Sequence, residues 1–96
     1  MKDKTIAIIG AGILGLAIYK GLENGGIANE NSIILTKRDT SSLEDIKGNH
    51  VLVTSDNSEA AQKADLIILA AQPAQLPGVL EGIKPVLDPA KHTIIS

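Results

Sequence analysis

The chain alternates short apolar runs with longer mixed stretches. The first run is Thr5 to Ile9, and after a glycine-rich turn the segment Ile13 to Asn24 carries Leu14, Ile18 and Leu22 at helical spacing. Gly25-Gly26 end that helix by supplying a left-handed cap. The second run, Ser32 to Thr36, holds Ile33-Ile34-Leu35 as a continuous apolar block, which suits a parallel strand covered on both faces. Val51 to Thr54 reads as a third strand, Asp65 to Ala70 as a fourth and central one, and Thr93 to Ser96 as a fifth. Helices are predicted between them. One covers Ser42 to Lys47, with Ser41 and Glu44 at capping-box spacing and Gly48 after its end. A short one runs to Lys63 behind a similar Asp56–Glu59 pair. Another follows Pro73 and reaches about Leu87, starting nearer Leu76 because Pro77 removes an internal donor.

Strand and helix in alternation predict an α/β domain with a parallel sheet and right-handed crossovers. The expected strand order is 3-2-1-4-5, which puts a ligand site at the carboxyl ends of strands one, two and four. With 96 residues this is a single domain, 1–96, with little room for a second one. The chain stops in its fifth strand, so a fragment of a longer protein is expected. A net charge of −2 argues against a nucleic-acid footprint. No leader and no membrane-spanning run is visible, and cysteine is absent, which points to a cytoplasmic protein without disulfides or thiolate chemistry. With Tyr19 the sole aromatic residue, the core must be aliphatic.

Gly10, Gly12 and Gly15 change the picture from fold to function. They have G-x-G-x-x-G spacing, directly after an apolar strand and at the start of an apolar-faced helix. Gly10 allows a tight turn, Gly12 lets backbone approach a pyrophosphate, and Gly15 lets the helix pack on the strand. The helix amides and dipole then favour the phosphates. The expected fold is therefore a Rossmann-type doubly wound sheet of about five strands. The end of strand two selects the cofactor. An NAD site places an acid there, whereas an NADP site places cations for the 2′-phosphate. Here the residues are Thr36, Lys37 and Arg38, and no carboxylate comes before Asp39. That favours NADP over NAD, with a charge-assisted fork from Arg38 and hydroxyls of Ser41 and Ser42 nearby. It also weighs against FAD or a methyl donor.

GAGILG after the first strand, IILTKRD after the second, TSDNSEAAQKADLIILAAQP and then a Pro-containing helix resemble the N-terminal domain of pyrroline-5-carboxylate reductase along essentially the whole chain. A related domain occurs in coenzyme-F420-dependent NADP oxidoreductases. The resemblance implies an NADP-dependent oxidoreductase that reduces a cyclic imine carboxylate in proline biosynthesis. By resemblance, the loop of Gly10, Ala11, Gly12, Ile13, Leu14 and Gly15 holds the pyrophosphate. Thr36, Lys37 and Arg38 face the adenosine phosphate, Asn57 the adenine ribose, and Ala70, Ala71, Gln72 and Pro73 the nicotinamide ribose. Two positions depart from the family: Ile13 stands where an amide is usual, and Gln72 where the turn usually has lysine. The family's second, helical domain forms the dimer and supplies the imine pocket. No catalytic residue is therefore assigned within this chain, the isolated domain is expected to be inactive, and the parent is expected to be a homo-oligomer.

The remaining candidates have simpler roles. His50 and His92 precede strands, at the end of the sheet away from ligand chemistry. Asp56, Glu59 and Asp65 fit capping and strand-start roles, so no metal is expected. Tyr19 fits packing better than proton transfer. The alternatives are a non-catalytic module that binds a dinucleotide and senses redox state, and an F420-type NADP oxidoreductase domain.

Overall fold

The structure, a computed structural model, describes residues 3–26, 31–43, 46 and 51–95. Five strands form one parallel sheet: β1 (Thr5–Ile9), β2 (Ser32–Thr36), β3 (Val51–Thr54), β4 (Leu66–Leu69) and β5 (Thr93–Ile95), in the order β3-β2-β1-β4-β5. This is the expected 3-2-1-4-5 order. Among the described residues three α-helices connect them: α1 (Ile13–Asn24), α2 (Asn57–Lys63) and α3 (Leu76–Ile83).

β1 lies between β2 and β4, with Ile8 opposite Leu35 on one side and Ile68 on the other. Its side chains alternate between two cores. Ile6 and Ile8 join Ile33, Leu35 and Tyr19 on the side covered by α1. Ala7 and Ile9 join Ile34, Ile67 and the Ala60-Ala61 pair of α2 on the other, where Ile83 of α3 also packs. Burial on both faces is why the apolar runs are continuous.

The buried face of α1 is formed by Gly15 and Tyr19, four residues apart. Tyr19 donates its hydroxyl to Glu23 Oε2 at 2.7 Å. Burial, reinforced by that hydrogen bond and by the Glu23 charge, raises the phenol to about 12. The helix ends as expected at a glycine pair, but the left-handed residue is Gly26, at φ +81, while Gly25 is still right-handed.

Some boundaries differ from expectation. β4 is one residue shorter at each end. Asp65 is drawn off by its carboxylate, which accepts from the Thr5 N–H at 3.0 Å. α3 stops at Ile83 and a 3₁₀ turn, Lys84–Val86, replaces its predicted last turn, because Pro85 brings no N–H to continue the ladder. After β2 a 3₁₀ turn spans Thr40–Leu43. Its cap is Asp39, not Ser41: Asp39 Oδ1 accepts from the Ser41 N–H at 3.0 Å and from the Ser41 hydroxyl at 2.8 Å. Glu44, Lys47, Gly48 and His50 lie outside the described residues. Asp56 caps α2 as expected, accepting from the Glu59 N–H at 3.1 Å.

Candidate functional site

The glycine loop is built by its own backbone. Gly10 adopts φ +88, a conformation side chains disfavour, and an added Cβ would lie 2.8 Å from the Ala71 backbone. At Gly15 a Cβ would lie 2.6 Å from the Gly10 carbonyl oxygen and 3.4 Å from Ile8, so α1 can approach β1 only without one. At Gly12 a Cβ would meet nothing within 4 Å. No protein atom fills that space, which leaves the loop open to approach from outside.

Thr36 latches this loop to the end of β2. Its carbonyl accepts from the N–H groups of Gly10 (3.1 Å) and Ala11 (2.6 Å), and its Oγ1 accepts from the Gly10 N–H at 3.1 Å. Gly12 N–H turns back to the Gly10 carbonyl at 2.8 Å. The first helical bond of α1 runs from Leu16 N–H to the Gly12 carbonyl. The Ile13, Leu14 and Gly15 amides precede it, at the positive end of the helix, with no acceptor in the helix. The amides without an acceptor in the helix therefore come after Gly12. The Gly10, Ala11 and Gly12 amides are occupied within the protein.

Two clefts open at the carboxyl ends of β1, β2 and β4, with volumes of about 740 and 770 Å³. Gly10, Lys37, Arg38, Ala71 and Gln75 line both. The first also holds Thr36, Ser55, Asn57 and, from α3, Gly78 and Val79. The second holds Gly12, Ile13, Leu14, Ala70, Gln72 and Pro73. The structure thus gathers twelve of the fourteen sequence-assigned residues around one crevice. The exceptions are Ala11 and Gly15, which are buried and support the loop from behind. Leu14, expected on the buried face of α1, is 60% exposed and borders the crevice with Ile13, at 94%.

Arg38 is exposed at the tip of β2, while Lys37 is half-buried with its N–H on the Thr54 carbonyl at 3.3 Å. Asp39 also borders the second cleft, but Oδ1 is already occupied by Ser41. Hydrogen bonds from the Ser41 hydroxyl and N–H, with the Lys37 charge, hold its carboxyl below the usual range. Ser41 consequently spends its hydroxyl proton on Asp39 and not on a ligand. Ser55, Ala74, Gln75, Gly78 and Val79 were missed from sequence. The last four lie at or just after the Pro73 turn, whose direction spacing alone does not give. His92 precedes β5, where its Nδ1 accepts from the Asp88 N–H at 2.9 Å. No described helix is long and apolar enough to cross a membrane.

The chain is similar to known proteins along nearly its whole length. The family model described as NADP oxidoreductase, coenzyme F420-dependent, matches residues 5–96. Pyrroline-5-carboxylate reductase 2 of Dictyostelium discoideum is 40% identical over 95 residues, covering 98% of this chain and 31% of its own. Among solved structures, pyrroline-5-carboxylate reductase from Coxiella burnetii superposes with a TM-score of 0.79 at 30% identity, over 97% of this chain and 36% of that one. The Plasmodium falciparum pyrroline carboxylate reductase with NADP bound gives 0.75 at 25% identity, over 98% and 33%. The chain spans about a third of the length of these relatives.

Proposed function

Because the chain belongs to the coenzyme-F420-dependent NADP oxidoreductase family, we propose that it is the NADP(H)-binding domain of an imine reductase of the pyrroline-5-carboxylate reductase kind. The observation that carries the reading is the pairing, across one crevice, of a glycine loop with unspent helix amides and a β2 tip bearing Lys37 and Arg38. The Ile13 and Leu14 amides hold the pyrophosphate, and Gly12 gives it room. Arg38 takes the 2′-phosphate through a charge-assisted fork, with Lys37 beside it. Asn57 serves the adenosine side and the Ala70–Pro73 turn the nicotinamide side.

When bound, NADPH supplies the hydride that reduces a C=N bond. This chain's own part is to bind and orient. A second domain completes the imine pocket, and the parent works as a cytoplasmic homo-oligomer in proline synthesis. By itself the domain binds nucleotide and reduces no imine. Calorimetric titration with NADPH and NADH tests the reading. NADPH is expected to bind tighter by about tenfold or more, the worth of a charge-assisted phosphate contact. Equal affinities would remove the 2′-phosphate site, and tighter NADH would reverse the cofactor assignment.

A further inference from the structure

Gly12 is a glycine that the protein's packing does not require, in the wall of a cleft. Gly78 has the same two properties. It lies in the first turn of α3, an added Cβ would meet nothing within 4 Å, and it lines the 740 Å³ cleft with Thr36, Arg38 and Asn57. Glycine weakens a helix relative to alanine, and no neighbour here requires it. Gly21 and Gly82 are equally unconstrained helical glycines, but they line neither cleft. Position is what singles out Gly78.

The cleft wall around it suits one kind of group. Ala71, Ala74 and Val79 are apolar, bare backbone stands at Gly78, and Ser55 and Asn57 add polar groups. A flat heteroaromatic base has apolar faces and a polar edge, and it needs close approach along its whole plane. Gly78 is also absent from the cleft that holds Gly12, Ile13 and Gln72. We propose that Gly78 determines specificity for the adenine end of the dinucleotide, by keeping the α3 wall of this cleft free of a side chain so that the base can lie on it. The inference rests on the dinucleotide reading above.

The test uses the full chain and two probes, NADPH and adenosine 2′,5′-bisphosphate, which carries the base and both phosphates of that end. Gly78→Leu is expected to weaken both by about tenfold or more, because its side chain would take the space of the base. Gly82→Leu, one turn further along α3, should change neither. Leucine is the better helix former, so both variants should keep the wild-type circular dichroism and melt no lower. If Gly78→Leu nevertheless fails to fold, Gly78→Gln is read in its place with the same expectation. Wild-type affinity in a folded Gly78 variant, or equal losses in the Gly78 and Gly82 variants, would overturn the role of Gly78 and leave the dinucleotide reading standing. If wild type bound neither probe, the reading beneath the proposal would fail, and the proposal with it.

Discussion

The two ends of the sheet use their polar groups in opposite ways. At the amino end they are spent on one another. Lys4 N–H donates to Asn31 Oδ1 at 2.9 Å, Thr5 N–H to Asp65 Oδ2 at 3.0 Å, and Asp65 N–H to the Thr5 carbonyl at 2.7 Å. Thr93 N–H then reaches the Asp65 carbonyl at 2.9 Å, tying β5 to the same knot. At the carboxyl end the loops leave helix amides unspent, hold Arg38 in solvent and open two clefts. The amino end closes the fold, and the carboxyl end leaves open clefts. A change at one end should therefore alter stability without affinity, and a change at the other affinity without stability.

Gly15 and Gly12 give the largest contrast, because they share a motif but answer to different demands. Gly15→Val forces a side chain into the Gly10 carbonyl and Ile8. It should cost about 3 kcal/mol or more, the upper range for overpacking, and is read from chemical denaturation. A Cβ at Gly12 meets no protein atom, so Gly12→Val should cost the domain less stability than Gly15→Val and lose NADPH and NADH alike. Retained nucleotide affinity in Gly12→Val would erase the contrast and, with it, the pyrophosphate assignment.

A smaller effect is expected from Asp65→Ala at the amino end. It strands the part-buried Thr5 N–H and should cost roughly 1–3 kcal/mol, the usual penalty for an unpaired donor. Nucleotide affinity should not move. A change in Kd comparable to the stability loss would show that the two ends are coupled after all.

The smallest effect is at Tyr19, on the buried face of α1. Its folded phenol titrates at about 12 against an ordinary 10.0, so the folded state holds the proton more tightly than the unfolded one. The stabilisation is whole below pH 10 and is lost as the pH rises through 12. Stability measured across that window should fall in the wild type and stay flatter in Tyr19→Phe. Parallel curves would remove Tyr19 as the cause.

How much of this was legible in the sequence follows the same division. The strands and their order were, because apolar runs broken by glycines and caps leave few alternatives for a parallel sheet. The crevice was legible at its glycine and cation walls, where motif spacing and position after a strand carry physical meaning. What could not be read was which polar group bonds which. Asp39 rather than Ser41 caps the turn after β2, since both are good caps and only the backbone path decides. Thr36 latches the loop with both its carbonyl and its hydroxyl, so the Gly10 and Ala11 amides are not available to a phosphate. The start of α3 at Leu76 was legible from Pro77, but the direction of the chain after Pro73, and hence the cleft that Gln75 and Gly78 line, was not.

The proposed function turns on recognition of the 2′-phosphate of NADP(H) by Arg38 at the open end of the sheet. Titrating wild type and Arg38→Ala with NADPH and NADH isolates that one contact, because the two ligands differ only in the phosphate. Arg38→Ala is expected to weaken NADPH by about tenfold or more, the worth of a charge-assisted hydrogen bond, and to leave NADH nearly unchanged. Equal losses for both ligands, or none for either, would contradict it.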